Sequence, residues 1–563
     1  MKKTCLWHQK QIEAMGGDWM GFYKYKLAAF IATGLDQEEL PAVPPALTED
    51  KPWSLLGGKV GRWMRMMKKE NNDRFQQILA SLSMVKRAMP RADSKQLHAS
   101  CVSTFKALTK DVNKSVRFLP DGSAVFMGQG EHQWSQEEQN ELLQYRDKLR
   151  QVVREVFGDK RFGEKDAIEC FFPSTNANYL TSRSKGGAVG HIMNSDLLQG
   201  LKSEEPLITS KVVKEGKMTK RIRYDGLNED GTAKQTEVIY KTADVHAVDD
   251  TNLSEKFAQL QERLVDAATR EEKKVKLVAL AEALKVRVIS KGPVCTYTAL
   301  KPLQKWLWKT LFEHKSGVFK LIGQEIDGEY LNEQLGALRE DEEFLSGDYK
   351  AATDNLDPWV SECIVTEISQ CIDDPRIRKL FMESLTRHMI EDPEDPSRAK
   401  KQTWGQLMGS IVSFPILCLA NASICLQARE ASVGRQLTLR TAKIAVNGDD
   451  CAFRANAVGR DAWGKIASKH GMIKSVGKCF SSKKFVNMNS AQFTVRVDVE
   501  SKQSLERVPF INMGLVAGLG RSTSGKLEKS SVADWGTANS VSTNAHTLMS
   551  ECAEEDRLRV FKC

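Results

Sequence analysis

Along the second half of the chain, short apolar runs bounded by turn residues alternate with stretches of helical spacing. Residues 444–453 read Ile-Ala-Val-Asn-Gly-Asp-Asp-Cys-Ala-Phe, two apolar runs around a tight turn. Asn447 and Gly448 both tolerate positive φ, so this pattern predicts a β-hairpin with Asp449 and Asp450 at its tip. Upstream, the apolar approach Phe344-Leu345 predicts a strand closing at Asp348, followed by a bend of small residues that reaches Asp354. Between them, Gly405-Gln-Leu-Met-Gly409 reads as a loop opening a long helix that contains the apolar stretch Phe414–Leu426; such a loop lets backbone approach a nucleotide closely. Phe257, Leu260 and Leu264 give residues 253–284 helical periodicity. In 301–312, leucines 303, 307 and 311 and lysines 301, 305 and 309 form two helical stripes, with Trp306 and Trp308 read as packing residues. Residues 53–93 read as one or two basic amphipathic helices with a solvated face, and 36–52 as a linker. Residues 207–244 alternate lysine or arginine with β-branched residues, which predicts strands and hairpins with one basic face. Residues 391–396 read as a surface turn between strands, 460–472 as a helix, and the last fifty or so as glycine-marked loops before a final helix.

Length and composition narrow the class. A chain of 563 residues accommodates two to four domains or one interlocked assembly, and 41% hydrophobic residues support a substantial core. The net charge of +9 is a modest excess that suits a polyanionic partner without requiring one. Twelve cysteines occur without a Cys-x-x-Cys pair, which reads as buried free thiols in a reducing compartment. The first ten residues carry charge but no apolar core, so they do not form a secretory signal. The longest apolar stretch is interrupted by Pro415, Asn421 and Ser423 and falls short of the ~20 residues of a membrane span. The expectation is a protein that is soluble or only peripherally membrane-bound.

The acidic positions carry the chemistry. Adjacent carboxylates at a hairpin tip repel, and they persist best beside a cation. Asp348 at the end of a neighbouring strand could join Asp449 and Asp450, and three such oxygen donors suit Mg²⁺. A pair of these ions clamps the attacking and leaving oxygens of an in-line phosphoryl displacement. Lys285, Arg287 and Lys291 alternate along an extended segment and can line one face toward a triphosphate.

The order of these blocks resembles motifs A, B and C of viral RNA-directed RNA polymerases. Ser346-Gly-Asp-Tyr-Lys-Ala-Ala-Thr-Asp-Asn-Leu356 resembles motif A of the ourmia-like (botourmiavirus) and narna-like group. Gly405–Gly409 with Ser413–Asn421 resembles its motif B, and Lys285–Pro293 its motif F. Pro173-Ser-Thr and Gly186–Gly190 resemble its template-entry segment. Ser475–Lys478, Phe485 and Asn489-Ser490 resemble the region of motifs D and E, and Val508–Leu515 a block after them. The likeness spans roughly residues 165–525 and leaves the first 150 or so without a counterpart.

The resemblance implies an α+β right-hand polymerase of fingers, palm and thumb, with an RRM-like mixed palm sheet. Residues 1–165 are expected to form a largely helical N-terminal extension, and the resemblance implies fingers over 166–343 and a palm over 344–500 with a fingers insertion at about 370–404. The thumb would be 501–563. Asp348 and Asp449 would be the primary metal ligands, joined by Asp450 and the Tyr349 carbonyl, with Mg²⁺ as cofactor and Mn²⁺ as its alternative. Asp354 and Asn355 would sense the ribose 2′-hydroxyl, with Ser413 and Asn421 as partners. Many polymerases place the motif B asparagine one turn earlier, where this chain has Leu417. Lys285, Arg287 and Lys291 would bind the triphosphate, and Lys478 would be the general acid for pyrophosphate. The implied partners are RNA template and product, ribonucleoside triphosphates, and peripheral membrane or host factors. The implied activity replicates a positive-strand viral genome in the host cytoplasm, the mitochondrion being the other compartment. The rival readings are a reverse transcriptase and a catalytically inactive RNA-binding palm; Gly448 before the aspartate pair and polar Asp354 and Asn355 favour ribonucleotides.

Overall fold

The strands Glu343–Gly347 (β1), Ile444–Asn447 (β2), Asp450–Ala455 (β3) and Phe480–Ser482 (β4) form one sheet in the order β2-β3-β1-β4. In this computed structural model, residues 2–47, 55–70, 72–118, 123–128, 130–168, 173–199, 201, 212–214, 219–227, 233–241, 245–246, 250–516, 523–524 and 538–562 are described. Strand β1 lies between β3 and β4, which run the same way, so the order is the split βαβ arrangement of RRM-like sheets. Every pairing within the sheet is antiparallel, not mixed. A parallel pairing occurs in a neighbouring sheet, where Met389 and Ile390 lie beside Lys274 and Val275. Successive side chains leave opposite faces of a strand. Leu345, Ile444, Val446, Cys451 and Phe453 enter the large central core, whereas Phe344, Ala445 and Ala452 enter a second core with Val486, Phe493 and Leu505. Burial on both faces explains why Ile444–Val446 and Cys451–Phe453 are continuous apolar runs.

The N-terminal region is part of this body. Helices Trp19–Gly34 (α1) and Asp73–Val85 (α2) lie across the end of the sheet. Phe30, Leu35, Phe75 and Leu79 pack with Phe480 and Phe485, while Met20 and Leu27 pack with Leu284. The basic segment 53–93 contains α2 and the helix Gly58–Lys69, as its periodicity predicts. A hairpin of Lys114–Phe118 with Ala124–Gly128 interrupts the otherwise helical extension.

Four further helices, Gln136–Phe157 (α3), Pro358–Ser369 (α4), Ser413–Val433 (α5) and Ala457–Lys469 (α6), fill the large core. Helix α5 touches α3, α4, α6, β2 and β3. It is buried without interruption from Pro415 to Arg429, as a helix apolar on all sides must be. Among the described residues no helix is long and apolar enough to cross a membrane. Each described cysteine is free, and all but Cys5 and Cys479 are buried.

Two expectations change. The helix that enters the 253–284 segment, Asp250–Arg270, ends at Arg270; Lys274–Glu282 and Lys285–Lys291 form an antiparallel hairpin instead. Val275, Leu277 and Ala281 bury alternating positions there, and Leu284 turns the chain at φ 54° without a glycine or asparagine to signal it. The chain closes with two helices, Ala538–Glu551 and Glu554–Phe561, where one was expected. Within 207–244, Thr219–Leu227 pairs with Ala233–Lys241 as predicted, but the expected basic face concerns side chains outside the described residues, as do Gly518, Gly520 and Gly525.

A buried ion pair ties α5 to the start of β1. Arg429 Nη1 lies 2.8 Å from Glu342 Oε1, and both side chains are only 3% exposed. Glu342→Ala leaves the guanidinium buried without its counter-charge, which costs about 3–5 kcal/mol. A fall of that size in unfolding free energy by denaturant titration is the expected result; an unchanged midpoint would remove the pair from the structural frame.

Candidate active site

The hairpin that carries the aspartates turns one residue later than Asn447-Gly448 suggests. Asn447 pairs with Asp450, so the two-residue loop is Gly448-Asp449. Gly448 has φ +69°, and neither Asn447 nor Asp449 has positive φ, the pattern of a type II′ turn. A Cβ at Gly448 would stand 2.9 Å from the Phe414 ring, so close packing on α5 adds to the conformational demand. Asp348 directly follows β1. Gly347 lies opposite Cys451, and continuing that register by one step sets Asp348 opposite Asp450. Facing residues in antiparallel strands hold their Cβ atoms about 4.5–5.5 Å apart.

The three carboxylates sense one another. Burial, then the charges of Asp449 and Asp348, pushes the Asp450 carboxyl up to about 7. Burial and Asp348 likewise raise Asp449, opposed by Lys285 and Lys478. Lys478 Nζ donates to Asp348 at 3.2 Å and 3.4 Å, so an ammonium already stands against this carboxylate. The Asp348 carbonyl accepts from the Ser475 N–H at 2.9 Å and from Cys479 Sγ at 3.0 Å. That bond makes Asp348 and Ser475 the hydrogen-bonded pair, so by alternation the neighbouring Tyr349 carbonyl points away from Lys474. The Tyr349 side chain turns into the core, where its hydroxyl accepts from Trp463 Nε1 at 2.9 Å.

Asn421 turns its amide toward the acidic turn. It is fully buried, and its Nδ2 donates to the carbonyls of Gly448, Asp449 and Asp450 at 3.0, 3.2 and 3.4 Å. Its Oδ1 accepts from the Tyr349 hydroxyl at 3.0 Å. Both ends of the amide are committed to holding the acidic turn from beneath. Ser413 is also buried, and its Oγ accepts from Gln406 Nε2 at 3.1 Å. Gln406 Oε1 in turn accepts from Ser361 at 3.0 Å, which makes this glutamine the tie between the motif B loop and α4. Sequence reasoning passed over Gln406, although a glutamine set between two glycines ahead of an apolar run is a signal. It also passed over the 3.0 Å bond from Asn447 Nδ2 to Asn489 Oδ1, which joins the acidic turn to the next hairpin turn.

Asp354 lies on the short helix Ala352–Asn355 and is held up to about 6 by burial, with Thr353 donating to it at 3.4 Å. Asn355 Nδ2 donates to the Lys350 carbonyl at 2.7 Å and so braces the bend. Lys285 heads its strand at the acidic cluster: burial lowers its pKa, as do Arg287 and Lys478, while Glu282 and Asp449 oppose them. Arg287 pairs with Glu282 at 3.1 Å. Lys291 stands at the far end of the strand, about 20 Å from Lys285 at 3.3 Å per residue. There the neighbouring Ser290 Oγ accepts from the Gly409 N–H at 3.1 Å, which seats that end against the motif B loop.

Among the described residues, no three histidine, cysteine or acidic side chains stand as a formed metal centre. The donor chemistry nevertheless fits a divalent cation, since burial and then its acidic neighbours raise Asp450, and Asp348 already takes a cationic partner.

The fold is that of the viral RNA-dependent RNA polymerases. It matches two solved structures of the RNA-dependent RNA polymerase of a human picorbirnavirus. The enzyme itself aligns with a TM-score of 0.52 at 10% identity, over 89% of this chain and 80% of that one. Its insertion-loop deletion mutant aligns with a TM-score of 0.51 at 10% identity, over 89% and 82%. In sequence, the chain is similar to the RNA-dependent RNA polymerase of Ourmia melon virus (isolate Melon/Iran/VE9), 28% identical over 456 residues. That match takes in 78% of this chain and 47% of the relative, so the chain spans about half the length of the curated protein it matches. No protein-family model matches the chain.

The raised Asp450 makes a pH prediction. An acid whose folded pKa lies above its unfolded value destabilises the fold as pH rises between the two, here from about 4 to about 7. In chelator-containing buffer, Asp450→Asn should therefore be more stable than the parent at pH 8, by about 2–4 kcal/mol, with the gain vanishing near pH 4. Denaturant titration at the two pH values reads this; an equal effect at both would show that charge is not its cause.

Proposed function

We propose that the chain is an RNA-directed RNA polymerase that copies a viral RNA genome by two-metal nucleotidyl transfer. The observation that carries the reading is the meeting of Asp348, Asp449 and Asp450 at one end of an RRM-like sheet, within a fold shared with viral polymerases. Asp348 and Asp449 would hold Mg²⁺, with Asp450 and the Tyr349 carbonyl completing the donor set. When bound, the metal pair lowers the pKa of the primer 3′-hydroxyl and neutralises the departing phosphate.

The 3′-oxygen forms a bond to the α-phosphorus of the nucleotide, the bond from that phosphorus to the bridging oxygen breaks, and pyrophosphate leaves. The hydroxyl proton passes to solvent, and Lys478, whose ammonium stands beside Asp348, would supply one to the leaving group. Lys285 and Arg287 face the triphosphate charge, and Lys291 attends the motif B end of the channel. Asp354 senses the ribose, with Asn355 and Ser413 shaping its pocket through the bends they brace. The net positive charge suits an RNA backbone, and the free cysteines suit a reducing compartment such as the host cytoplasm.

Template-directed incorporation of labelled rNTP, with dNTP in parallel, tests the reading. Asp449→Asn should lower incorporation more than about a hundredfold, because metal stabilisation of the transition state is worth several kcal/mol. RNA affinity, measured by filter binding on the same preparation, should stay within about twofold because it rests on basic residues. Retained synthesis would remove Asp449 from the catalytic role.

Asp354→Ala should narrow the rNTP-over-dNTP preference in kcat/KM by about ten- to a hundredfold, the worth of one well-placed hydrogen bond. Equal discrimination in both proteins would leave Asp354 as a brace of the motif A bend.

A further inference from the structure

Two lysines of the N-terminal region stand where the proposed chemistry brings phosphate, and neither belongs to a motif that the sequence resemblance identifies. Helix α1 is wedged between the two walls of the acidic cluster. On one side Met20 and Leu27 pack with Leu284, and Tyr23 and Val286 join the same cluster, so this face of α1 lies against the turn that presents Lys285. On the other side, a Cβ built on Gly477 would stand 3.3 Å from the Ala28 Cβ, beside Lys478. Lys24 precedes Ala28 by one helical turn and shares its face, which sets it between Lys285 and Lys478.

Lys86 arrives from a different element. It opens the short turn Lys86–Ala88 at the end of α2, a helix anchored on Phe480 and Phe485 just beyond Lys478. The chain then runs beside the Lys285 turn: the Pro90 carbonyl accepts from the Leu284 N–H at 3.4 Å, and Arg91 bridges to Ala283.

Electrostatics agrees with this placement. Burial lowers Lys24, as do Lys285 and Lys478, while Asp18 opposes them. Burial, then Lys478, Arg87 and Lys285, brings Lys86 down to about 8, with Asp348 opposing. Asp450 in turn feels the charge of Lys86. Both lysines remain solvent-accessible. Among the described residues no carboxylate stands within ion-pair distance of either one. Four ammonium groups drawn from four separate segments thus crowd one space beside three carboxylates. Of the four only Lys478 bonds a carboxylate, Asp348; like charges held so close lose stability by their repulsion, and a polyanion relieves it.

We propose that Lys24 and Lys86 are phosphate ligands of the polymerase site, gripping the β- and γ-phosphates of the incoming ribonucleotide and the pyrophosphate it releases, together with Lys285 and Lys478. This rests on the polymerase reading and extends it to residues of the N-terminal region. A ligand of the phosphates common to substrate and product binds both, so its loss weakens both without altering which base is chosen.

The test uses the full chain with Lys24→Gln, Lys86→Gln, the double variant and the charge-keeping Lys24→Arg and Lys86→Arg. For each, the rNTP KM and kcat, the inhibition constant for pyrophosphate and the RNA Kd are measured. The expected result is a three- to tenfold rise in KM and in the pyrophosphate constant for each glutamine variant. The double variant should rise further, arginine should restore much of the loss, and RNA Kd should stay put. Should Lys86→Gln lower the thermal midpoint, Lys24→Gln and Lys86→Arg decide the matter. An active parent with KM and the pyrophosphate constant unmoved overturns this proposal alone, as does a loss confined to RNA affinity. A parent chain that makes no RNA overturns the polymerase reading and this proposal with it.

Discussion

Three carboxylates crowded at one end of a sheet set the terms for everything around them. At about 5 Å and an effective dielectric of 20, each ionised pair repels by roughly 3 kcal/mol. The strands cannot relieve this themselves, because β1 and β3 are in register and buried on both faces. Relief comes from outside the sheet: Lys478 bonds Asp348, and the charge of Lys285 favours ionised Asp449. The backbone of the turn is held from beneath by Asn421, whose amide reaches three consecutive carbonyls. A cation at the site would therefore meet donors already fixed, with little left to organise.

The floor and the walls of this site differ in construction. The floor is one rigid assembly of α5 with β2 and β3, tied by Asn421 and by the Arg429–Glu342 pair. The walls come from segments far apart in the chain, joined by smaller contacts such as Gln406 to Ser361 and Asn447 to Asn489. Such a division fixes the carboxylates while leaving the surrounding segments more loosely tied.

What the sequence could convey depended on range. The apolar runs and the acidic turn between them are local features, and their spacing identified both the hairpin and the strand closing at Asp348. The backbone contacts of Asn421 were not legible, because an amide on a helix can serve a ligand or a backbone equally well and the turn it meets lies 27–29 residues downstream. The strand Lys274–Glu282 was absorbed into the preceding helix because a charged, alternating segment follows Arg270 without a glycine or proline to mark the change. The helices within 53–93 were legible as helices, but their docking was not, since apolar faces do not name the residues they will meet.

The reach of α1 across the molecule also orders the making of the protein in time. Gln37, just past that helix, hydrogen-bonds Ser481, 444 positions later. At about 5–20 residues per second, a ribosome needs roughly 20–90 s between the two. During that interval the helices that will close the site have been made and lack their seat, and their apolar faces need shelter. Completion is thus a late, long-loop event, and a nascent chain interrupted between residues 450 and 481 would carry both acidic turns but an open wall.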